Sequence, residues 1–413
     1  MVIPGYKQTE VGVIPEAWDV SSLAAAFPKL EAGVSVNSDN TLSSEYHVLK
    51  TSAVYDGVVD VTETKPIVPR DYHRVKCPLA KGSMVISRMN TPALVGECGF
   101  VKAIKDGIYL PDRLWQVKNP PESNFDFEWL NYLLNTKQYR DAVRATATGT
   151  SNSMKNISKE RLLEIKIPHP PIDEQQNIAE ILSNLDELIH LVEQQISKKK
   201  AIKQGVMQEL LTGKKRLPGF SEEWTQKSFS DVCEICARMV DPTQKEYADL
   251  PHIGNESIEK FSGRITHYNK VKDDQLISGK YYFGSNDVLY GKINPHFAKA
   301  AFPQFDGLCS ADMYPISCTE AILPEYLLYI LLSSEFTNYT VSLSKRSGIP
   351  KVNREELADY VMQLPPIGEQ YEIAKILCDM DEQIDLLVQM LKKYHQIKQG
   401  MMQQLLTGKI RLV

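Results

Sequence analysis

The chain has 413 residues, long enough for more than one core, and its 43% hydrophobic and 24% charged content is that of a globular protein. No run of eighteen or so apolar residues occurs, and the start, MVIPGYKQTEVGVIPEAW, lacks the basic and apolar regions of a secretory signal, so a cytoplasmic protein without a membrane partner is expected. The net charge of −5 does not announce a nucleic-acid binder; such a function requires basic residues to be segregated onto one face. Seven scattered cysteines, an odd number, fit free thiols, and Cys233–Cys236 has no second ligand pair at zinc spacing, which favours packing over a metal or redox site.

In chain order, residues 1–165 form a first globular region, with an acidic turn into Trp18, a turn into a short strand at Gly82–Arg88 and an apolar helix at Trp129–Leu134. Segment 137–161 is locally basic, with Lys137, Arg140, Arg144, Lys155, Lys159 and Arg161 against Asp141 and Glu160. Residues 166–217 then read as a long helix. Pro170-Pro171 brings the chain in extended, Asp173 and Glu174 place negative charge on the first turn, and Gly213 follows the last apolar residue as a stop. Its apolar seam runs Ile178, Leu182, Leu185, Ile189, Val192 and Ile196, then shifts at Lys198–Lys200 and resumes at Ile202, Val206 and Leu210. The lysine run is a solvated face in the simpler reading, a phosphate contact in the other.

Residues 218–360 repeat the order: Trp224 after an acidic turn, a turn and strand at Gly284–Tyr290, and an apolar helix at Tyr326–Leu331. Residues 361–413 repeat the long helix, with Ile373, Leu377, Met380, Ile384, Leu387, Leu391, Tyr394, Met401 and Leu405 on the seam and Lys398 filling the one missing step. The copy is close: residues 170–217 and 365–412 align without a gap, and more than half of the positions are identical. The chain is therefore a tandem duplication in which the helices are near copies and the globular heads are not. The expected fold is α/β, or mixed α+β, in two tandem heads, with the two helices paired as an antiparallel coiled coil about a pseudo-two-fold axis. A homodimeric zipper is the competing use of the seam. Gly205 and Gly400, at matched positions, are expected to permit close helix approach.

Pro-Pro-Ile-x-Glu-Gln opening a long helix that ends in Leu-Leu-Thr-Gly-Lys-x-Arg-Leu, twice, resembles the specificity subunit of Type I restriction–modification systems. Asp287–Pro295, Cys309–Pro315 and Leu110–Trp115 add to the likeness, which covers essentially the whole chain. The resemblance implies two target recognition domains, each reading half of a bipartite double-stranded DNA site. It implies helices that set the unread gap and dock two methylation subunits, with Glu174, Gln175, Glu369 and Gln370 as the partner-binding positions, and restriction subunits in the larger assembly. The chain itself would hold no cofactor; S-adenosylmethionine, ATP and Mg would sit on the partners.

The residues are compatible with a reader that does no chemistry. Methylation of adenine needs an Asn/Asp-Pro-Pro-aromatic turn, and the nearest match, Asn119-Pro-Pro-Glu122, ends in a side chain that cannot stack. No phosphate-binding GxxxxGK[ST] loop occurs. DNA contact calls for Arg and Lys toward phosphates and Arg, Asn or Gln toward base edges. The candidates in the first head are Arg88, Asn90, Arg113, Arg144, Thr150, Ser151, Asn152 and Lys155, and in the second Lys292, Asn294, His296, Lys345, Arg346 and Lys351. A single-chain methyltransferase–specificity enzyme and a structural adaptor that binds no DNA are the alternative functions.

Overall fold

A computed structural model describes residues 4–148, 154–344 and 349–412. The chain forms two compact units, Met1–Leu191 with Leu391–Val413, and Val192–Met390. Each unit holds one head and a part of both long helices, Ile172–Leu210 and Ile367–Leu405, each of 39 residues. Among the described residues no helix is long and apolar enough to cross a membrane.

The first unit is built on a six-stranded sheet in which Met84–Ser87 pairs antiparallel with both Leu114–Val117 and Cys98–Phe100. The helix Phe127–Leu134 starts where the Asp126 side chain accepts the Trp129 amide, and it buries Trp129 and Leu130 against the sheet. The second unit divides its strands between a four-stranded sheet, centred on Val288–Gly291 and Met313–Cys318, and a five-stranded one. Its apolar helix, Pro324–Leu332, opens on a proline at the first helical turn. In both units the head closes on itself just before the long helix. Lys166–His169 pairs with Asp19–Ser22, and Val361–Leu364 pairs with Thr225–Ser228. Residues 166–169 therefore belong to the head, and the helix begins at Ile172.

Within each unit the long helices run antiparallel. In the first, Glu174 meets Arg411 and Asp186 meets Lys398; in the second, Glu369 meets Arg216 and Asp381 meets Lys203. Ile178 and Leu182 share one core with Leu405 and Leu406, while Met207 and Leu210 share another with Ile373 and Leu377. The pairing is made inside one chain, so the seam is satisfied without a homodimeric zipper. Both helices end as expected, at Gly213 and Gly408 with φ of 68° and 70°.

Two expectations about the helices are corrected. The seam of the first helix does not resume at Ile202, which is 48% exposed; Lys203 takes that step at 6%. Its stem packs in the interface while its ammonium reaches Asp381 at 2.6 Å, so a charged residue completes an apolar repeat. Gly205 and Gly400 do not mark a close approach, since a Cβ at either would meet nothing within 4 Å. Each glycine thus leaves a helix interior more free to unfold and gains no packing in return. Gly205→Ala and Gly400→Ala should each raise the unfolding free energy by about 0.5–1 kcal/mol, read from the midpoint of a urea titration; a lowered midpoint would contradict this.

Candidate nucleic-acid interface

The paired copies hold each head through the same set of polar contacts. In the first unit Glu174 is almost fully buried and accepts four hydrogen bonds. Arg411 donates from Nε at 2.6 Å and from Nη2 at 2.8 Å, the Trp18 indole donates at 2.8 Å, and the Leu412 amide at 3.3 Å. In the second unit Glu369 accepts from Arg216 Nε and Nη2, both at 2.8 Å, and from the Trp224 indole at 3.0 Å. Burial works to raise both carboxyl pKa values, but the guanidinium and indole bonds outweigh it, and both are held below the ordinary 4.5. The neighbouring amides are equally occupied. Gln175 bridges Asn124 O, Pro170 O and the Asp126 amide; Gln370 bridges Ala321 O, Pro365 O and the Leu323 amide.

These four side chains were expected to face a partner subunit. Instead they lie buried with their functional atoms engaged by their own unit, so what they bind is the head and the segment that follows the other helix. A second cluster repeats one step along. Asp186 accepts from Tyr132 Oη at 2.7 Å and pairs with Lys398 at 2.5 Å; Asp381 accepts from Tyr329 Oη at 2.9 Å and pairs with Lys203 at 2.6 Å. Desolvation and then the adjacent carboxylates push both phenol pKa values up, so the tyrosines remain donors.

The recognition candidates assemble at one corner of each head. In the first, the Arg88 amide donates to Arg113 O, Ile157 donates to Arg88 O, and Asn90 stands opposite Lys155 across an antiparallel pair. The Arg88 guanidinium lies 5.5 Å from the Trp115 ring centroid, and Arg113 is exposed beside it. In the second, the Lys292 amide donates to Asp312 O, Val352 donates to Lys292 O, Asn294 donates to Pro350 O, and Ile293 bridges Lys351. The Lys292 ammonium lies 5.0 Å from the Tyr314 ring centroid, and the exposed His296 rests on Phe297. Asn294 adopts a left-handed backbone, φ 52°, which turns the chain at that corner. Arg88, Arg113 and Lys155 thus come together, as do Lys292, Asn294, His296 and Lys351. Asn90 shares the corner but is buried, its Nδ2 donating to Ser87 Oγ at 3.1 Å and its Oδ1 accepting the Thr91 amide at 2.9 Å, so it faces inward and not a base edge.

Arg144 does not join the first group. It donates to buried Glu97 at 2.7 Å and to Ala93 O at 2.9 Å; Arg140 meets Asp56 at 2.7 Å, and Lys137 meets Asp141. The N-terminal half of the locally basic segment 137–161 is therefore neutralised from within. Thr150, Ser151, Asn152, Lys345 and Arg346 lie outside the described residues. Trp115, Tyr314 and Arg354, which flank the corners, were missed. The only sequence signal for the first two was their place in the likeness already noted for Leu110–Trp115 and Cys309–Pro315. Cys233 packs in the core opposite Cys318, and among the described residues no cluster of His, Cys, Asp or Glu could hold a metal ion.

The pattern of the family described as Type I restriction modification DNA specificity domain matches residues 15–200 and again 221–396. The chain belongs to that family. It carries the domain twice, its role is DNA recognition, and the specificity subunits of this family are not catalytic. The Type I restriction enzyme EcoDI specificity subunit of Escherichia coli is 31% identical over 161 residues, 39% of this chain and 35% of that one. The match thus spans about a third of that relative. The Type I restriction enzyme MjaVIII specificity subunit of Methanocaldococcus jannaschii is 26% identical over 310 residues, 69% of this chain and 70% of that one. The fold is shared with the S subunit of a Type I restriction–modification system from M. genitalium, at a TM-score of 0.60 and 14% identity, covering 97% of this chain and 98% of that one. Membership implies DNA and the methylation and restriction subunits as partners.

The buried carboxylates make stability depend on pH. A depressed folded-state pKa means that their contribution is complete above 4.5 and is lost as pH falls through the lower folded value. Unfolding free energy of the native chain should therefore fall more steeply below pH 4.5 than that of Glu174→Gln, in parallel urea titrations. Equal slopes would contradict the assigned bonding.

Proposed function

We propose that this chain is the sequence-reading subunit of a Type I restriction–modification complex, with each head reading one half of a bipartite DNA site. The observation that carries this is the repeated corner. Both heads are held by the same Glu–Arg–Trp and Asp–Lys–Tyr contacts, yet they present different side chains at the same place: Arg88 on Trp115 with Arg113 in one, Lys292 on Tyr314 with Asn294 and His296 in the other. A common support with differing tips suits two half-sites of different sequence. Arg88 and Asn294 are the side chains suited to base edges, and Lys155, Lys292 and Lys351 to phosphates.

On this reading the helix pair sets the unread gap, two methylation subunits dock on it, and restriction subunits complete the assembly. Transfer from S-adenosylmethionine and ATP- and Mg-dependent cleavage belong to those partners. With Glu174, Gln175, Glu369 and Gln370 committed internally, docking falls to exposed positions of the helices, among them Leu188, Leu191, Tyr371 and Leu386.

The test is single-molecule sequencing of methylated adenines in host DNA, with this chain co-expressed with its methylation subunit. A bipartite motif that disappears when this chain is deleted is the expected result. Absence of chain-dependent methylation, with an active methylation subunit, would contradict it. Exchanging residues 1–165 for another first head should change one half of that motif and leave the other intact. Inserting one helical turn, about four residues, near Gly213 should alter the gap and neither half. Alteration of both halves by the head exchange would contradict modular reading.

A further inference from the structure

The second head contains a cavity of about 430 Å³ lined by Tyr281, Lys292, Tyr314, Asn353, Arg354 and Glu355. Arg354 lies over both rings, 5.4 Å from the Tyr281 centroid and 5.3 Å from that of Tyr314, and Lys292 lies over Tyr314 as well. Arg354 is fixed in place by donating to Tyr281 Oη at 3.0 Å and Cys236 O at 3.4 Å, while its Nε is buried and has no hydrogen-bond partner among the described residues. Two cations therefore converge on one cavity. Glu355 at its wall, Asp312 near Lys292 and Glu356 near Tyr314 are acidic groups beside them.

The arrangement decides between two uses of such a pocket. A base extruded from a duplex or taken from a single strand would stack on a tyrosine face. Here each ring already has a cation over it, and the N–H donors of Lys292 and Arg354 suit an anion. The Lys292 ammonium points the same way: burial, set against Asp312 and joined by Arg354 and Lys351, lowers its pKa, as expected of a cation lacking a sufficient counter-charge. The first head differs at the equivalent strand position. There Leu110 donates to Cys77 O where Tyr281 pairs with Cys309, and a thiol cannot supply the ring wall.

We infer that the cavity between Tyr281 and Tyr314 seats one phosphate of the DNA backbone at the half-site read by the second head, held by Lys292 and Arg354. This rests on the DNA-reading function above and adds a contact that orients the duplex without reading sequence. It also makes the two heads unequal: the second has a backbone clamp of its own next to Asn294, the side chain suited to a base edge.

The experiment uses this chain in complex with its methylation subunit and measures binding to a cognate duplex by fluorescence anisotropy across a KCl series. Lys292→Gln should reduce the slope of log K against log salt by about 0.9, the loss of one phosphate contact, and weaken every sequence by the same factor. Lys292→Arg should restore the slope. A duplex scanned with neutral methylphosphonate linkages should show one position in the second half-site that weakens the native complex and has no further effect on Lys292→Gln. An unchanged slope, or the absence of any such position, would overturn the phosphate seat while leaving DNA reading intact. A Lys292→Gln complex with altered base preference would assign the residue to base readout instead and equally overturn it. Native complex that binds DNA without salt dependence would overturn both this inference and the proposed function.

Discussion

An ionised carboxylate in a protein interior is stabilised by a cation, and in this chain the cation comes from the other copy of the repeat, from its helix or from the segment just past the glycine stop. Glu174 depends on Arg411 and Glu369 on Arg216, with Asp186 and Asp381 likewise dependent on Lys398 and Lys203. Each copy of the repeat carries its acids early and its bases late. A parallel, in-register pairing would set Glu174 beside Glu369 and Lys203 beside Lys398, burying like charges, which costs several kcal/mol for each unpaired ion. Antiparallel pairing places early against late at every step. The apolar seam drives association, and the charges select its direction.

The same acids carry the heads. Trp18 and Trp224 each donate an indole N–H to the carboxylate that the arginine clamps, and Tyr132 and Tyr329 donate to the aspartates that the lysines clamp. Gln175 and Gln370 finish the attachment by capping the strand-to-helix segment of the head. With orientation held at this base, the far corner of a head is released from structural duty and can differ. That is the arrangement in which Arg88 on Trp115 and Lys292 on Tyr314 occupy one place with different chemistry.

Much of this was legible in the amino-acid order. The gapless repeat, the proline entry and the glycine stop delimit both long helices to within a residue or two, and the apolar helices and strands of the heads lie where pattern placed them. Direction was an inference from economy, because the charges that decide it pair across 178 and 237 residues. Lys203 defeats a hydrophobic pattern, since its burial depends on Asp381 and Tyr329, neither of them local. Arg144 illustrates the opposite failure: a local basic excess counts charges within a window and misses Glu97, contributed by another strand region. Gly205 and Gly400 look like packing devices only because a matched glycine usually is one; the space around them is open. Glu-Gln at the head of each helix was noticed for its repetition and misassigned to a partner, because a repeated motif reports a shared role without saying whether that role faces inward.

The Glu–Arg pairs couple the two copies of the repeat, and a double-mutant cycle on Glu174 and Arg411 tests this most directly. Unfolding free energies of the native chain, Glu174→Gln, Arg411→Gln and the double variant are compared in urea. A coupled buried pair predicts that the double variant loses less than the sum of the singles, with a coupling of about 1–3 kcal/mol, well above the roughly 0.5 kcal/mol at which independent sites add. Additive losses would mean that Glu174 and Arg411 do not meet, and the antiparallel pairing would lose its physical basis.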